Sequence, residues 1–145
     1  MSRITVKKQI NAPLDLVFRT VADIRNFSEV ITDITNIHFL TNKKYGLGTR
    51  FRETRKMNGR MAETELEVTE LKDNEMIRLI SDAGGTRWDS VFKVKEANGS
   101  TQLILEMKAE PYKFLSKLTL PLMKGVIKKA LESDMSAVKR YCESQ

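Results

Sequence analysis

Hydrophobic and polar positions alternate over most of this chain, and the alternation predicts an antiparallel sheet. The first run, Arg3–Ile10, places Ile4, Val6 and Ile10 on one face. Six further strands are expected, near Ile34–Thr41, Thr49–Met57, Arg60–Leu71, Glu75–Ser81, Thr86–Lys95 and Thr101–Ala109. Hairpin signals stand between three pairs of these strands, at Asn58-Gly59, Gly84-Gly85 and Asn98-Gly99. Consecutive hairpins predict a meander.

Helical spacing of apolar residues appears after the first strand. Pro13 suits the first turn of a helix, because its missing N–H has no intrahelical partner there. Apolar residues then recur at helical spacing from Leu14 to Val21 and predict a short helix that ends at about Ala22. The stretch Asp23–Val30 is predicted as a second short helical segment.

The C-terminal segment is predicted as two helices separated by a break. A single apolar stripe follows Pro121, whereas Leu115 and Leu118 before it lie out of phase with that stripe. A proline inside a helix removes a hydrogen bond and clashes with the preceding turn. The expected helices are Tyr112–Thr119 and about Leu122–Glu143.

The predicted order of strands and helices, together with several short motifs, resembles that of a known superfamily. The motifs are Ile10-Asn11-Ala12-Pro13 with Val17-Phe18, Asp23 with Phe27, Gly46-Leu47-Gly48-Thr49, and Leu131-Glu132-Ser133-Asp134-Met135. The chain thereby resembles the START-like superfamily, also called SRPBCC or Bet v 1-like, and is most similar to its polyketide cyclase/dehydrase and lipid-transport branch. The resemblance implies one α+β domain over residues 1–145 with the helix-grip fold. In that fold a curved antiparallel sheet of about seven strands wraps around a long C-terminal helix and encloses a hydrophobic cavity.

Composition and charge exclude several classes of function. The 25 basic and 19 acidic residues give a net charge of +6, which mildly favours anionic partners. No apolar run is long enough to span a membrane, and the N-terminus lacks the apolar core of a signal peptide, so a cytoplasmic protein is expected. The single cysteine, Cys142, and the single histidine, His38, offer neither a zinc site nor a catalytic triad. We therefore predict no catalytic residue, no metal and no cofactor.

Strand alternation also indicates which side chains face the interior. These side chains are mostly apolar and aromatic with a few polar groups, as in a small-molecule site. The alternative is that the same residues pack into a solid core. The predicted ligand-binding set is Phe51, Glu53, Arg55, Leu66, Trp88, Ser90, Phe92, Leu103, Leu105, Met107, Leu115, Leu118, Met123 and Ile127.

Charged residues on inner positions need partners. Glu53 and Arg55 share a strand face with apolar neighbours, so we expect them to pair. The pair has two interpretations, an anchor for the polar end of a ligand or an ion pair at the water-filled mouth. Asp134 lies within the apolar stripe of the last helix and is predicted to be a buried structural carboxylate, bonded to backbone or to an Arg or Lys.

These features favour the binding or transport of a hydrophobic or amphipathic small molecule such as a lipid, isoprenoid or polyketide-like compound. A cofactor-free cyclase or dehydratase and a protein-interaction module are the alternatives. The basic C-terminal segment is interpreted as a solvated helix face or as a transient contact with an anionic membrane surface. Nucleic acid is not an expected partner, because aromatic residues are not interleaved with the basic ones.

Overall fold

A seven-stranded antiparallel sheet and a long C-terminal helix form the structure. The computed structural model describes residues 2–57 and 59–145, so the Asn58 half of the predicted Asn58-Gly59 turn lies outside the described residues. The strands are β1 Ser2–Ile10, β2 Ile34–Phe39, β3 Arg50–Met57, β4 Arg60–Lys72, β5 Met76–Ala83, β6 Thr86–Ala97 and β7 Ser100–Pro111. The helices are α1 Leu14–Ala22, α2 Phe27–Val30 and α3 Phe114–Glu143, with a 3-10 turn at Ile24–Asn26. The predicted helix-grip fold is confirmed.

The strands follow the order β1-β7-β6-β5-β4-β3-β2, so the meander β2–β7 ends beside the first strand. In the pairing of β1 with β7, Val6 lies opposite Leu105. The β5–β6 hairpin turns at Gly84 and Gly85, whose φ angles are +62° and +80°. Both angles lie in the left-handed region that glycine adopts at little cost, which is why this pair makes a tight turn.

The hydrophobic core lies between the sheet and the helices. The side chains with no exposed surface include Ile10, Val17, Ile24, Phe51 and Met135. They come from β1, α1, the 3-10 turn, β3 and the C-terminal half of α3, so all of these elements share one core. Phe51 packs with its ring centroid 6.4 Å from that of Phe39 on the neighbouring strand.

The predicted break at Pro121 is wrong, because α3 is one continuous helix of 30 residues with Pro121 inside it. A proline removes one backbone donor, which here would have bonded to the carbonyl of Lys117. Burial of Leu120 and Ile127 against the rest of the protein holds the helix on both sides of that gap. Tertiary packing therefore outweighs the unfavourable helix propensity of one proline.

The apparent phase shift before Pro121 has a different cause from a break. Ser116 and Leu120 are the buried residues of this part of α3, whereas Leu115 and Leu118 are exposed. The inner face therefore continues in phase through the proline, and the out-of-phase leucines belong to the outer face. Among the described residues, no helix is both long enough and apolar enough to cross a membrane.

Candidate functional site

A cleft of about 430 Å³ lies between the sheet and the N-terminal half of α3. Its walls come from β3 to β7, from the β5–β6 turn and from α3. The lining residues that are exposed mark the side that opens to solvent; they are Ala62, Glu63, Gly84, Thr119 and Met123. The lining comprises Glu53, Arg55, Met57, Ala62, Glu63, Thr64, Leu66, Ser81, Ala83, Gly84, Thr86, Trp88, Ser90, Met107, Ser116, Thr119, Leu120, Met123, Ile127, Ala130 and Leu131.

The structure brings more than half of the sequence-predicted site residues to this cleft. They come from four strands and from α3, and most of them are apolar. Their contact with a ligand stays a prediction. They are Glu53, Arg55, Leu66, Trp88, Ser90, Met107, Met123 and Ile127.

Four other predicted site residues face inward but belong to the core. Phe51, Leu103 and Leu105 are 0–2% exposed, and Phe92 packs against the same cluster. Alternation identifies the inner face of a strand, but a strand of 12 residues such as β6 passes under both the cleft and the core. Position along the strand decides between the two, and the sequence pattern does not contain that information.

Leu115 and Leu118 are placed on the wrong side of α3 by the sequence interpretation. Leu115 is 70% exposed and Leu118 is 56% exposed, and neither lines the cleft. The error follows from the predicted break before Leu122. In a separate helix Leu115 and Leu118 could face the interior, whereas in the single helix α3 their phase places them on the outer side. The small polar residue Ser116 is buried in their place.

Sequence reasoning missed the part of the cleft wall that the β5–β6 turn and the start of α3 build together. The Ser116 hydroxyl donates to the carbonyl of Gly84 at 2.5 Å. The backbone N–H of Tyr112 donates to the carbonyl of Gly85 at 2.9 Å. A Cβ atom on Gly85 would lie 2.5 Å from the Ser116 Oγ, so only a glycine permits this approach. The Gly84-Gly85 pair predicted the turn. The contact of this turn with α3 joins residues far apart in sequence, so no local pattern predicted it.

A cluster of three charged side chains stands at one wall of the cleft. Arg55 donates through both terminal nitrogens to the Asp134 carboxylate, at 3.0 and 2.8 Å. One of these nitrogens, Nη2, also lies 3.5 Å from Oε1 of Glu53. The three side chains are only 12–16% exposed. The predicted pairing of Glu53 with Arg55 and the predicted burial of Asp134 against a basic side chain are both confirmed.

Burial and pairing act in opposite directions on this cluster. Burial raises the pKa of Glu53 and of Asp134 above the usual carboxyl range, and the positive charge of Arg55 opposes that rise in each case. Burial also lowers the pKa of Arg55, but its bonds to Asp134 and Glu53 outweigh this effect and raise the pKa overall. Arg55 therefore stays charged, with two carboxyl groups competing for one cation.

The two carboxyl groups are not equivalent. Asp134 holds both terminal nitrogens of Arg55 in a bidentate geometry, which is the strongest form of such a pair. Glu53 makes one long contact and lines the cleft. Its carboxyl group is therefore the member of the cluster with capacity left for a further hydrogen bond. The rest of the lining is largely apolar, with the hydroxyls of Ser81, Thr86 and Ser90 on the sheet side.

Residues 1–143 match the model of a family described as polyketide cyclase / dehydrase and lipid transport. The match spans almost the entire chain. Comparison with curated protein sequences gives no significant match.

Solved structures of similar fold include proteins from several bacteria. An aromatase/cyclase, Zhui, from Streptomyces sp. R1128 superposes with a TM-score of 0.82 at 15% identity, covering 98% of this chain and 93% of its own. TTHA0849 from Thermus thermophilus gives a TM-score of 0.80 at 18% identity, covering 96% and 95%. A START superfamily protein from Mycobacterium smegmatis gives 0.78 at 15% identity, covering 98% and 97%. At these identities the likeness concerns the fold.

Proposed function

Because this chain belongs to the polyketide cyclase/dehydrase and lipid transport family, we propose that it binds a hydrophobic or amphipathic small molecule in the cleft beneath α3. The observation that carries the proposal is the cleft itself. Its volume of about 430 Å³ lies within the range of about 300–1,000 Å³ that is typical of ligand sites. Its lining combines apolar walls with one polar cluster, the composition expected for an apolar compound with a single polar end.

The polar end of the ligand is inferred from the state of the charged cluster. Arg55 is already engaged by Asp134 through both terminal nitrogens, so a ligand carboxylate would have to displace a bidentate partner. Glu53 has acceptor capacity left and lies on the cleft wall. A ligand hydroxyl or amine can donate to it, whereas a carboxylate would be repelled. The sequence interpretation offered the Glu53–Arg55 pair as the anchor, with either member as the contact; the geometry favours Glu53.

Fluorescence of Trp88 provides the direct test, because Trp88 is the only tryptophan and lies on the cleft wall. Titration with a long-chain alcohol and with the fatty acid of the same length should give saturable changes, with tighter binding of the alcohol. Ala130→Phe narrows the cleft from α3 and should weaken both. Ser133→Phe adds the same group to an exposed position of the same helix and should leave both unchanged. Absence of a saturable change for either compound would contradict the proposal.

Glu53 also supports a second candidate function, a cofactor-free cyclase or dehydratase. A carboxyl group whose pKa is raised by burial, in a cleft and beside a cation, is suited to exchanging protons with a bound substrate. Native mass spectrometry of protein purified from its own host separates the two functions. A binding protein should release the co-purified compound unchanged, whereas an enzyme should carry the product of a reaction that Glu53→Gln prevents.

A further inference from the structure

The N-terminal half of α3 exposes an unusual amount of apolar surface. Outside this region, only Leu47 and Met61 are large, exposed hydrophobic residues among those that the structure describes. The exposure reaches 83% at Leu122, 78% at Phe114 and 70% at Leu115. The exposed apolar residues of this region are Tyr112, Phe114, Leu115, Leu118, Leu122, Met123 and Val126.

Five of these residues form a continuous stripe, here termed the outer apolar face. At about 100° per residue, they fall within an arc of about 120°. The arc lies opposite the side on which Leu120 and Ile127 are buried. The stripe therefore contributes nothing to the core, and contiguous apolar surface of this kind marks an interaction site. The outer apolar face consists of Phe114, Leu115, Leu118, Leu122 and Val126.

The charges that this part of α3 itself carries are all positive. Between Glu110 and Glu132 the sequence has five lysines and no acidic residue. Lys117, Lys124 and Lys128 follow one another at helical spacing and form a row along one edge of the stripe. An apolar stripe bordered by lysines is the composition of helices that lie in the headgroup region of anionic membranes.

We propose that the outer apolar face docks this protein onto an anionic membrane surface. The helix lies flat, its apolar side chains enter the boundary between headgroups and acyl chains, and the lysine row contacts lipid phosphates. A second copy of the chain fits the face less well, because a twofold contact would bring two lysine rows together. The proposal does not depend on the identity of any ligand in the cleft. Thr119 and Met123 line that cleft from the same half of α3, so its open side would lie near the bilayer.

The test is partitioning of the full chain onto vesicles of phosphatidylcholine with and without phosphatidylglycerol, by flotation at low and at physiological salt. We expect binding to the anionic vesicles that weakens as salt is added. Leu118→Gln/Leu122→Gln should lower the partition coefficient by about tenfold or more, and so should Lys117→Gln/Lys124→Gln/Lys128→Gln.

Matched controls separate the outer apolar face from the general basic character of the chain. Leu47→Gln removes an exposed leucine elsewhere and should bind as the wild type does. The triple variant of the exposed lysines Lys56, Lys72 and Lys95, each changed to Gln, removes the same charge from other surfaces and should retain most of the binding.

Three results would overturn the proposal. One is a wild type that ignores anionic vesicles. Another is a leucine variant that binds as well as the wild type, since binding would then be non-specific attraction of a basic protein. The third is a dimer in solution that the leucine variant abolishes, which would assign the face to a second copy of the chain.

Discussion

The Arg55–Asp134 pair is predicted to stabilise the fold, so that removing one partner should lower the free energy of unfolding substantially. Asp134→Asn removes the negative charge from α3 and keeps the shape of the side chain. Arg55 is then left with Glu53 alone, at 3.5 Å and in a single contact. Because both side chains are only 12–13% exposed, bulk water cannot fully replace the lost partner.

The expected loss follows from the burial of the pair. Removing one partner of a buried ion pair typically costs about 3–5 kcal/mol, since the other charge stays buried and uncompensated. The remaining contact with Glu53 and the residual exposure reduce this, so we expect the free energy of unfolding to fall by about 2–4 kcal/mol. Glu132→Gln on the same helix breaks a more exposed ion pair with Lys8 at 3.3 Å, whose side chains are 44% and 25% exposed, and should cost about 1 kcal/mol or less.

Urea unfolding at pH 7, followed by Trp88 fluorescence and by far-UV circular dichroism, measures both variants. A double variant, Arg55→Met/Asp134→Leu, should be less destabilised than the sum of its single variants by at least about 1 kcal/mol, because it removes both charges together. If Asp134→Asn and Glu132→Gln gave equal losses, the pair would be solvent-screened. The assignment of Asp134 as a structural carboxylate would then be refuted.

Two further predictions concern Glu53 and the β5–β6 turn. Burial raises the pKa of Glu53, so the folded protein keeps the proton on this carboxyl group to a higher pH than the unfolded chain does. The free energy of unfolding therefore falls as pH rises through the folded-state pKa of Glu53. Glu53→Gln should therefore raise the free energy of unfolding at neutral pH relative to wild type and lose this advantage in acid; a pH-independent difference would contradict the shift. Gly85→Ala should cost at least about 1 kcal/mol more than Gly84→Ala, because both positions have positive φ but only a Cβ on Gly85 meets Ser116. Equal losses in urea unfolding would argue against that contact.

Local patterns were sufficient to predict the strands and the faces of their side chains. Alternation has a period of two and depends on neighbours along the chain, so it identified the inner faces of β3, β6 and β7. Hairpin glycines such as Gly84 and Gly85 identified the connections. The pairing of Glu53 with Arg55 was predictable for the same reason, because residues two positions apart on one strand lie on the same face.

Features that depend on distant contacts were not predictable in this way. The continuity of α3 through Pro121 rests on burial of Leu120 and Ile127 against other elements, and no local signal records that burial. The assignment of Phe51 to the core and of Trp88 to the cleft depends on which part of the sheet each helix covers. Specific partners such as Arg55 and Asp134 are 79 residues apart in sequence.

The two halves of α3 have different physical roles, and this difference connects the proposals. The C-terminal half buries Met135, Val138 and Cys142 in the core and therefore holds the fold together. The N-terminal half buries little besides Leu120 and Ile127, since its inner side faces an open cleft and its outer side carries the apolar stripe. Segments with few buried contacts open most readily. A ligand in the cleft and a membrane on the outer face would each add the contacts that this half lacks, so each should stabilise the same segment of the helix.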